Sequence, residues 1–271
     1  MTITEIALTL PFACADGDEI IMIGDVHGCA AQFDALLDHA SAMPRAPGRR
    51  RKLILGGDII DRGPASLLAI DLAIGAKERV GADEAIHLIG NHEQMLKIAL
   101  IDEDDPVSQR AAEIWLRNGG GKVIEELMEA NPGKRLDVPA ALGPDRMAWL
   151  DGLVPYHRSR RILAVHAGLN PTASFPKFLA QPWAINLRHL DEDNHWAWVR
   201  EPFLRHLPRP DWGHHGHFVL HGHTTPSHDP TSTQEQIERC RLNLDGGSFG
   251  TGEVRMVRIV GNDAVLVTKR I

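Results

Sequence analysis

The chain has 271 residues, 43% of them hydrophobic and 24% charged, and a formal charge of -7. That length suits one large domain with a sizeable core, and the composition excludes a disordered or fibrous chain. The acidic balance repels phosphate backbones and anionic surfaces, so neither stable nucleic-acid binding nor a membrane partner is expected.

The N-terminal stretch MTITEIALTLPFACADGDE lacks the basic region of an export signal, and no apolar run has the length of a membrane helix. Cys14, Cys29 and Cys240 cannot all pair, and their spacing fits neither a zinc knuckle nor a CxxC motif. Reduced thiols in a cytoplasmic protein are the expectation. Three strand-and-helix units follow. EIIMIG runs into Asp25 and then AAQFDALLDHA, KLILGG into Asp58 and then SLLAIDLAI, and AIHLIG into Asn91 and then EQMLKIAL. This alternation predicts right-handed crossovers and a largely parallel sheet, with ligands collecting at the carboxyl ends of its strands.

The one basic run, Arg49 to Lys52, is expected to be a solvated strand start. A helical stretch at about 106–130 is interrupted by Gly119, Gly120 and Gly121. Beyond it, RILAVHAGL and HFVLHGHTT read as buried strands running into histidines. RCRLNLD, VRMVRIV and AVLVTKR read as strands without long helices between them, so a more antiparallel second sheet is expected. Residues 170–216, rich in Pro, Trp and His, are expected to be an excursion over the site, with HLDEDNH and GHHGH as solvated loops. GGSFG matches the GxSxG pattern, but the strand after it favours a hairpin turn over a nucleophile elbow. NGGGKV lacks the spacing of a phosphate loop, and the six tryptophans are expected to pack in the core or a lid.

Chemistry-bearing residues gather at five of these strand ends: Asp25 and His27 in GDVHG, Asp58 and Asp61 in GDIIDRG, Asn91 and His92 in GNHE, His166 in HAG, and His221 and His223 in HGHT. Carboxylate, imidazole and amide donors without thiolate suit Mn, Fe or Zn in a catalytic rather than a structural site. Each cluster has an adjacent glycine, which allows a sharp turn or close backbone approach.

The ordered series GDxHG, GDxxDRG, GNHE, HAG and GHT resembles the phosphoprotein phosphatase branch of the calcineurin-like metallophosphoesterases. WLRNGG and WVRE resemble its bacterial and lambda-phage members. The resemblance implies an α/β fold of two packed mixed β-sheets flanked by helices, in a single domain over 1–271. It implies two divalent ions, Mn foremost with Fe or Zn as alternatives, one held by Asp25, His27 and Asp58 and the other by Asp58, Asn91, His166 and His223. Asp58 would bridge them, and a bridging hydroxide would attack phosphorus in line. Arg62 and Arg200 would bind phosphate, and His92, oriented by Asp61, would protonate the leaving oxygen. The implied activity is that of a protein Ser/Thr phosphatase. A dinucleoside polyphosphate hydrolase or a small-molecule phosphatase is the alternative, and a non-catalytic phosphate-binding module ranks last. Relatives often carry Arg before GNHE, where this chain has Ile89, and an active-site tyrosine after GHT, to which the sole tyrosine, Tyr156, does not correspond.

Overall fold

A computed structural model describes residues 2–133 and 135–270. The strands are β1 (Thr2–Thr9), β2 (Asp18–Ile23), β3 (Arg50–Leu55), β4 (Glu84–His87), β5 (Tyr156–Ser159), β6 (Ile162–Val165), β7 (Phe218–His221), β8 (Arg241–Asn243), β9 (Glu253–Val260) and β10 (Asp263–Arg270). They form a six-stranded sheet in the order β1-β10-β9-β2-β3-β4 and a four-stranded sheet in the order β5-β6-β7-β8. β2, β3 and β4 are parallel, as their alternation with helices requires. The helices α1 (Ala30–Ala42), α2 (Ser66–Val80) and α3 (Asn91–Ala99) follow them in turn.

Side-chain alternation along the strands builds two cores. On β2, Ile20 and Met22 face the second sheet and join Phe218, Leu220 and Leu242. Ile21 and Ile23 face the helices and join Phe33, Leu37 and Ala73. The protein is therefore an α/β sandwich of two mixed sheets with helices outside.

Several expectations are corrected. The second sheet is mainly parallel, since β7 pairs in parallel with both β6 and β8. β6, β7 and β8 are buried along their length and joined by long crossovers, which a parallel ladder needs, while β5 is a more exposed edge strand antiparallel to β6. β9 and β10 return to the first sheet as an antiparallel hairpin, and β1 adds an edge strand that the sequence reading missed. Residues 246–250 do not make a hairpin, because β8 and β9 lie in different sheets. Ser248–Thr251 forms one helical turn instead, between Gly247 and Gly252 in left-handed conformation. Residues 170–216 supply the outer cover of the second sheet, with Trp196, Phe203 and Phe178 in the same core cluster as Leu163 and Val219. His195, His214 and His217 are buried there and are not solvated.

The basic run is also more than a solvated start. Arg51 is 1% exposed and donates from Nε and Nη2 to Glu19 at 3.2 and 3.1 Å. It also donates to the carbonyls of Val80 and Met43 at 3.2 and 2.9 Å. The guanidinium ties the amino end of the sheet to the ends of α1 and α2.

Candidate active site

Six strand-end segments meet along one rim. Asp25 follows β2, Asp58 follows β3, Asn91 opens α3 after β4, His166 follows β6, His223 follows β7 and Asp245 follows β8. Non-glycine residues in the left-handed region concentrate there, with φ of 45° at His27, 51° at Asp58, 73° at Asp61, 66° at Arg62 and 67° at His223. Each such residue stores on the order of 1–3 kcal/mol of strain, which persists only where surrounding contacts fix the backbone.

Glu93 supplies much of that fixing. Its buried carboxylate accepts the main-chain N–H groups of Asp58 and Ile59, both at 2.8 Å, and reaches back to that of Gly90 at 3.0 Å. As the third residue of α3 it caps the helix and holds the Asp58 turn at once. Burial, and then the charge of Asp58, push its carboxyl up to about 7. The sequence reading passed over this residue, although it stands in GNHE itself.

The three candidate ligand histidines share one arrangement. His27 Nδ1 lies 2.9 Å from the carbonyl of Ile60, His166 Nδ1 2.9 Å from that of Gly56, and His223 Nε2 3.0 Å from that of Trp198. Each ring donates one N–H outward and turns its other nitrogen inward, the orientation a metal-binding imidazole needs. His166 Nε2 and His223 Nδ1 then lie 3.1 and 2.9 Å from Asn91 Oδ1. The inward lone pair of His223 and the amide oxygen of Asn91 converge with no donor between them, a contact that a cation relieves. Asp58 belongs to two such groups: with His27 and His92, and with His166 and His223. Its Oδ2 lies 3.5 Å from His27 Nε2, and its Oδ1 lies 3.4 Å from His166 Nε2.

Burial opposes a charge on His166, but Asp58 overrides it and raises the imidazole to about 10. Burial likewise opposes ionisation of Asp58, yet the facing histidines hold it well below the usual carboxylate range. Asp25 accepts the N–H of His223 at 2.9 Å through Oδ2, while its buried Oδ1 has no partner. A Cβ on Gly222 would collide with that oxygen, and one on Gly90 would collide with Asp58 Oδ1, so glycine keeps both carboxylates open to a ligand. The donor set thus fits divalent cations: oxygen and nitrogen donors, one shared carboxylate and an orphaned buried oxygen.

His92 lies among the ligand residues, beside His27 and Asp58, but its hydrogen bonding differs from theirs. Its Nδ1 is 2.6 Å from Asp61 Oδ2, and its buried Nε2 has no partner. Trp115 Nε1 donates to both oxygens of Asp61, at 3.0 and 2.9 Å. Arg62 donates from Nε to the carbonyl of Asn118 at 3.2 Å and meets His27 Nε2 with Nη1 at 3.1 Å. Arg200 arrives from the 170–216 excursion and reaches the carbonyl of His223 at 3.4 Å. Together with Thr224 and Phe249 these two arginines line a cleft of about 660 Å³.

The structure therefore brings together every sequence-derived candidate. His221 stays outside, packed edge-on against Phe203. Asp245 was missed: it is 2% exposed, and its charge bears on Asp25. The signal was present, since NLDGG ends a strand in Asp-Gly as the other motifs do. Ile89 is buried in the helix-side core, and Tyr156 sits half-exposed on β5.

Among curated proteins, a symmetrical bis(5'-nucleosyl)-tetraphosphatase of Pseudomonas syringae pv. tomato is 26% identical over 180 residues, covering 65% of this chain and 48% of that protein. Its namesake in Burkholderia pseudomallei is 29% identical over 202 residues, covering 70% and 59%. The chain spans about half the length of the curated relatives it matches. A protein serine/threonine phosphatase from Saccharomyces cerevisiae shares the fold, with a TM-score of 0.58 at 13% identity over 97% of this chain and 84% of that one. No helix among the described residues is long and apolar enough to cross a membrane. The model of the calcineurin-like phosphoesterase family matches residues 19–245, and this chain, with its converging carboxylates and imidazoles, belongs to that family.

Proposed function

We propose that the protein hydrolyses a phosphoric ester or anhydride by direct in-line attack of water on phosphorus, at a site whose residues would hold two divalent ions, with Asp58 contributing to both. The observation that carries this reading is that Asp58 belongs to both ligand groups. One ion would be held by Asp25, His27 and Asp58, and the other by Asp58, Asn91, His166 and His223. When bound, the ions supply a nucleophile from water near neutral pH and offset charge on the phosphoryl oxygens.

The chain's own residues do the rest. Arg62 and Arg200 grip the equatorial oxygens with forked, permanently charged guanidiniums. Arg62 is held for this by the carbonyls of Asn118 and Gly119, which accept its Nε–H and main-chain N–H, both at 3.2 Å. His92 gives the proton on Nε2 to the departing oxygen, while Asp61 holds its Nδ1–H and stabilises the imidazolium. Trp115 keeps Asp61 aimed at His92 rather than at the cations.

The symmetrical bis(5'-nucleosyl)-tetraphosphatases among the curated relatives support a dinucleoside polyphosphate over a phosphoserine or phosphothreonine protein as the substrate class. The three free, buried cysteines suit a reducing compartment, and we assign the protein to the cytoplasm. The test is a parallel assay of Mn-loaded protein on p-nitrophenyl phosphate, a phosphoserine peptide and diadenosine tetraphosphate. Turnover of the first with none in chelator supports the hydrolytic centre. A higher kcat/KM on the peptide than on the tetraphosphate overturns the substrate assignment.

A further inference from the structure

Helix α4 (Pro106–Trp115) and helix α5 (Gly121–Ala130) are joined by a widened turn, Leu116–Gly120, in which Gly119 has φ of 111°. Such turns inside helices often mark functional sites. Here the turn has a visible task. It carries Trp115 onto Asp61, and it sets the carbonyls of Asn118 and Gly119 against Arg62. The same turn projects Arg117 into the catalytic cleft.

That cleft is lined by Arg62, Arg117 and Arg200, with His223 and His228 and no carboxylate. In a chain of net charge -7, an acid-free wall of three guanidiniums is a local inversion of sign. Arg62 meets the Asn118 carbonyl and His27, and Arg200 meets the His223 carbonyl and, at 3.9 Å, Glu192, whereas Arg117 makes no ion pair or side-chain hydrogen bond among the described residues. An exposed arginine without a partner keeps all its donors available. His228 shares the wall, with Nδ1 2.8 Å from Thr225 Oγ1, which leaves Nε2 directed elsewhere.

We infer that Arg117 forms a second anion subsite, binding the phosphate next to the one that is cleaved, so that the enzyme selects substrates whose leaving group is itself phosphorylated. Arg62 and Arg200 hold the reacting phosphoryl group, and Arg117 adds a forked contact to its neighbour in a phosphoanhydride chain. A phosphoserine peptide has no anion at that point. This assignment rests on the hydrolytic reading above and deepens it by naming the residue that separates its two substrate classes.

The experiment compares wild type with Arg117→Ala and Arg117→Lys. Rates are measured on p-nitrophenyl phosphate and diadenosine tetraphosphate, together with inhibition of p-nitrophenyl phosphate turnover by pyrophosphate and by phosphate at fixed free Mn. In wild type, pyrophosphate should inhibit more tightly than phosphate, by on the order of tenfold, as a charge-assisted contact allows. Arg117→Ala should remove that preference and lower the tetraphosphate rate about tenfold more than the p-nitrophenyl phosphate rate, with Arg117→Lys in between. A preference that survives in Arg117→Ala, or equal losses on both substrates, overturns the subsite. A wild type that prefers pyrophosphate through Arg117 yet leaves the tetraphosphate uncleaved separates the two ideas: the subsite stands and the dinucleoside reading falls.

Discussion

His92 Nδ1 and Asp61 Oδ2 lie 2.6 Å apart, 31 residues from each other in the chain, with neither side chain more than 1% exposed. The contact leaves His92 Nε2 as the only ring nitrogen free to meet a substrate. His92→Asn should therefore lower kcat by about 10²- to 10⁴-fold on a phosphoserine-type alkoxide, and by less on p-nitrophenyl phosphate, whose leaving group departs without a proton. Metal content should stay unchanged. Loss of metal, or the same factor on both substrates, would make His92 a ligand or an electrostatic group.

Asp58→Asn removes the charge shared by both ligand groups. Bound metal, measured by elemental analysis after dialysis, should fall, and turnover should fall by orders of magnitude on every substrate. Full activity of the wild type in excess chelator would falsify the dinuclear reading.

Glu93→Gln tests the scaffold instead of the chemistry. The amide must turn an N–H₂ toward main-chain N–H donors that the carboxylate now accepts from Asp58, Ile59 and Gly90. We expect a loss of about 1–3 kcal/mol in stability. Rate losses should be equal on good and poor leaving groups, because the whole Asp58 turn shifts. A leaving-group-dependent loss would instead assign Glu93 a part in proton transfer.

Glu19 lies at the opposite end of the sheet and gives the pH prediction. Burial alone would raise its pKa, but hydrogen bonds from Arg51 and Arg258 hold it below its ordinary value of 4.5. A depressed folded-state pKa contributes stability that is fully present above the unfolded value and is lost as pH falls through the folded one. Glu19→Gln, which leaves Arg51 buried and uncompensated, should cost about 3–5 kcal/mol near pH 7. The difference from wild type should shrink below about pH 4.5 as the wild-type carboxylate is protonated. Urea unfolding of both proteins from pH 7 to pH 3 gives the curve, and a constant difference across that range would refute the argument.

The chain order of motifs made the candidate site legible because each ligand is local in sequence. A strand of apolar residues, one or two glycines and a donor suffice to mark Asp25, Asp58, Asn91, His166 and His223. The same rule extended one strand further would have included Asp245, which was read only as the end of the strand RCRLNLD. The helices after β2, β3 and β4 were equally legible from their periodicity and from the short links that join them.

Sequence by itself marked most of the residues that gather at the rim and determined that β2, β3 and β4 run in parallel, since both follow from local patterns of strand, glycine, donor and helix. Only the tertiary structure decided the rest. Whether VRMVRIV joins the second sheet or returns to the first depends on pairing β9 with β2, across more than 230 residues, and no local pattern encodes that partner. The tautomers of His27, His166 and His223 depend on carbonyls of Ile60, Gly56 and Trp198 brought in by other segments. Likewise Arg51, which reads as a solvated charge, becomes a buried tie because Glu19 on the neighbouring strand and the carbonyls ending α1 and α2 meet its guanidinium from three directions. Burial and hydrogen-bond partnership are properties of the assembled surface around a residue, and they emerge only when distant segments pack together.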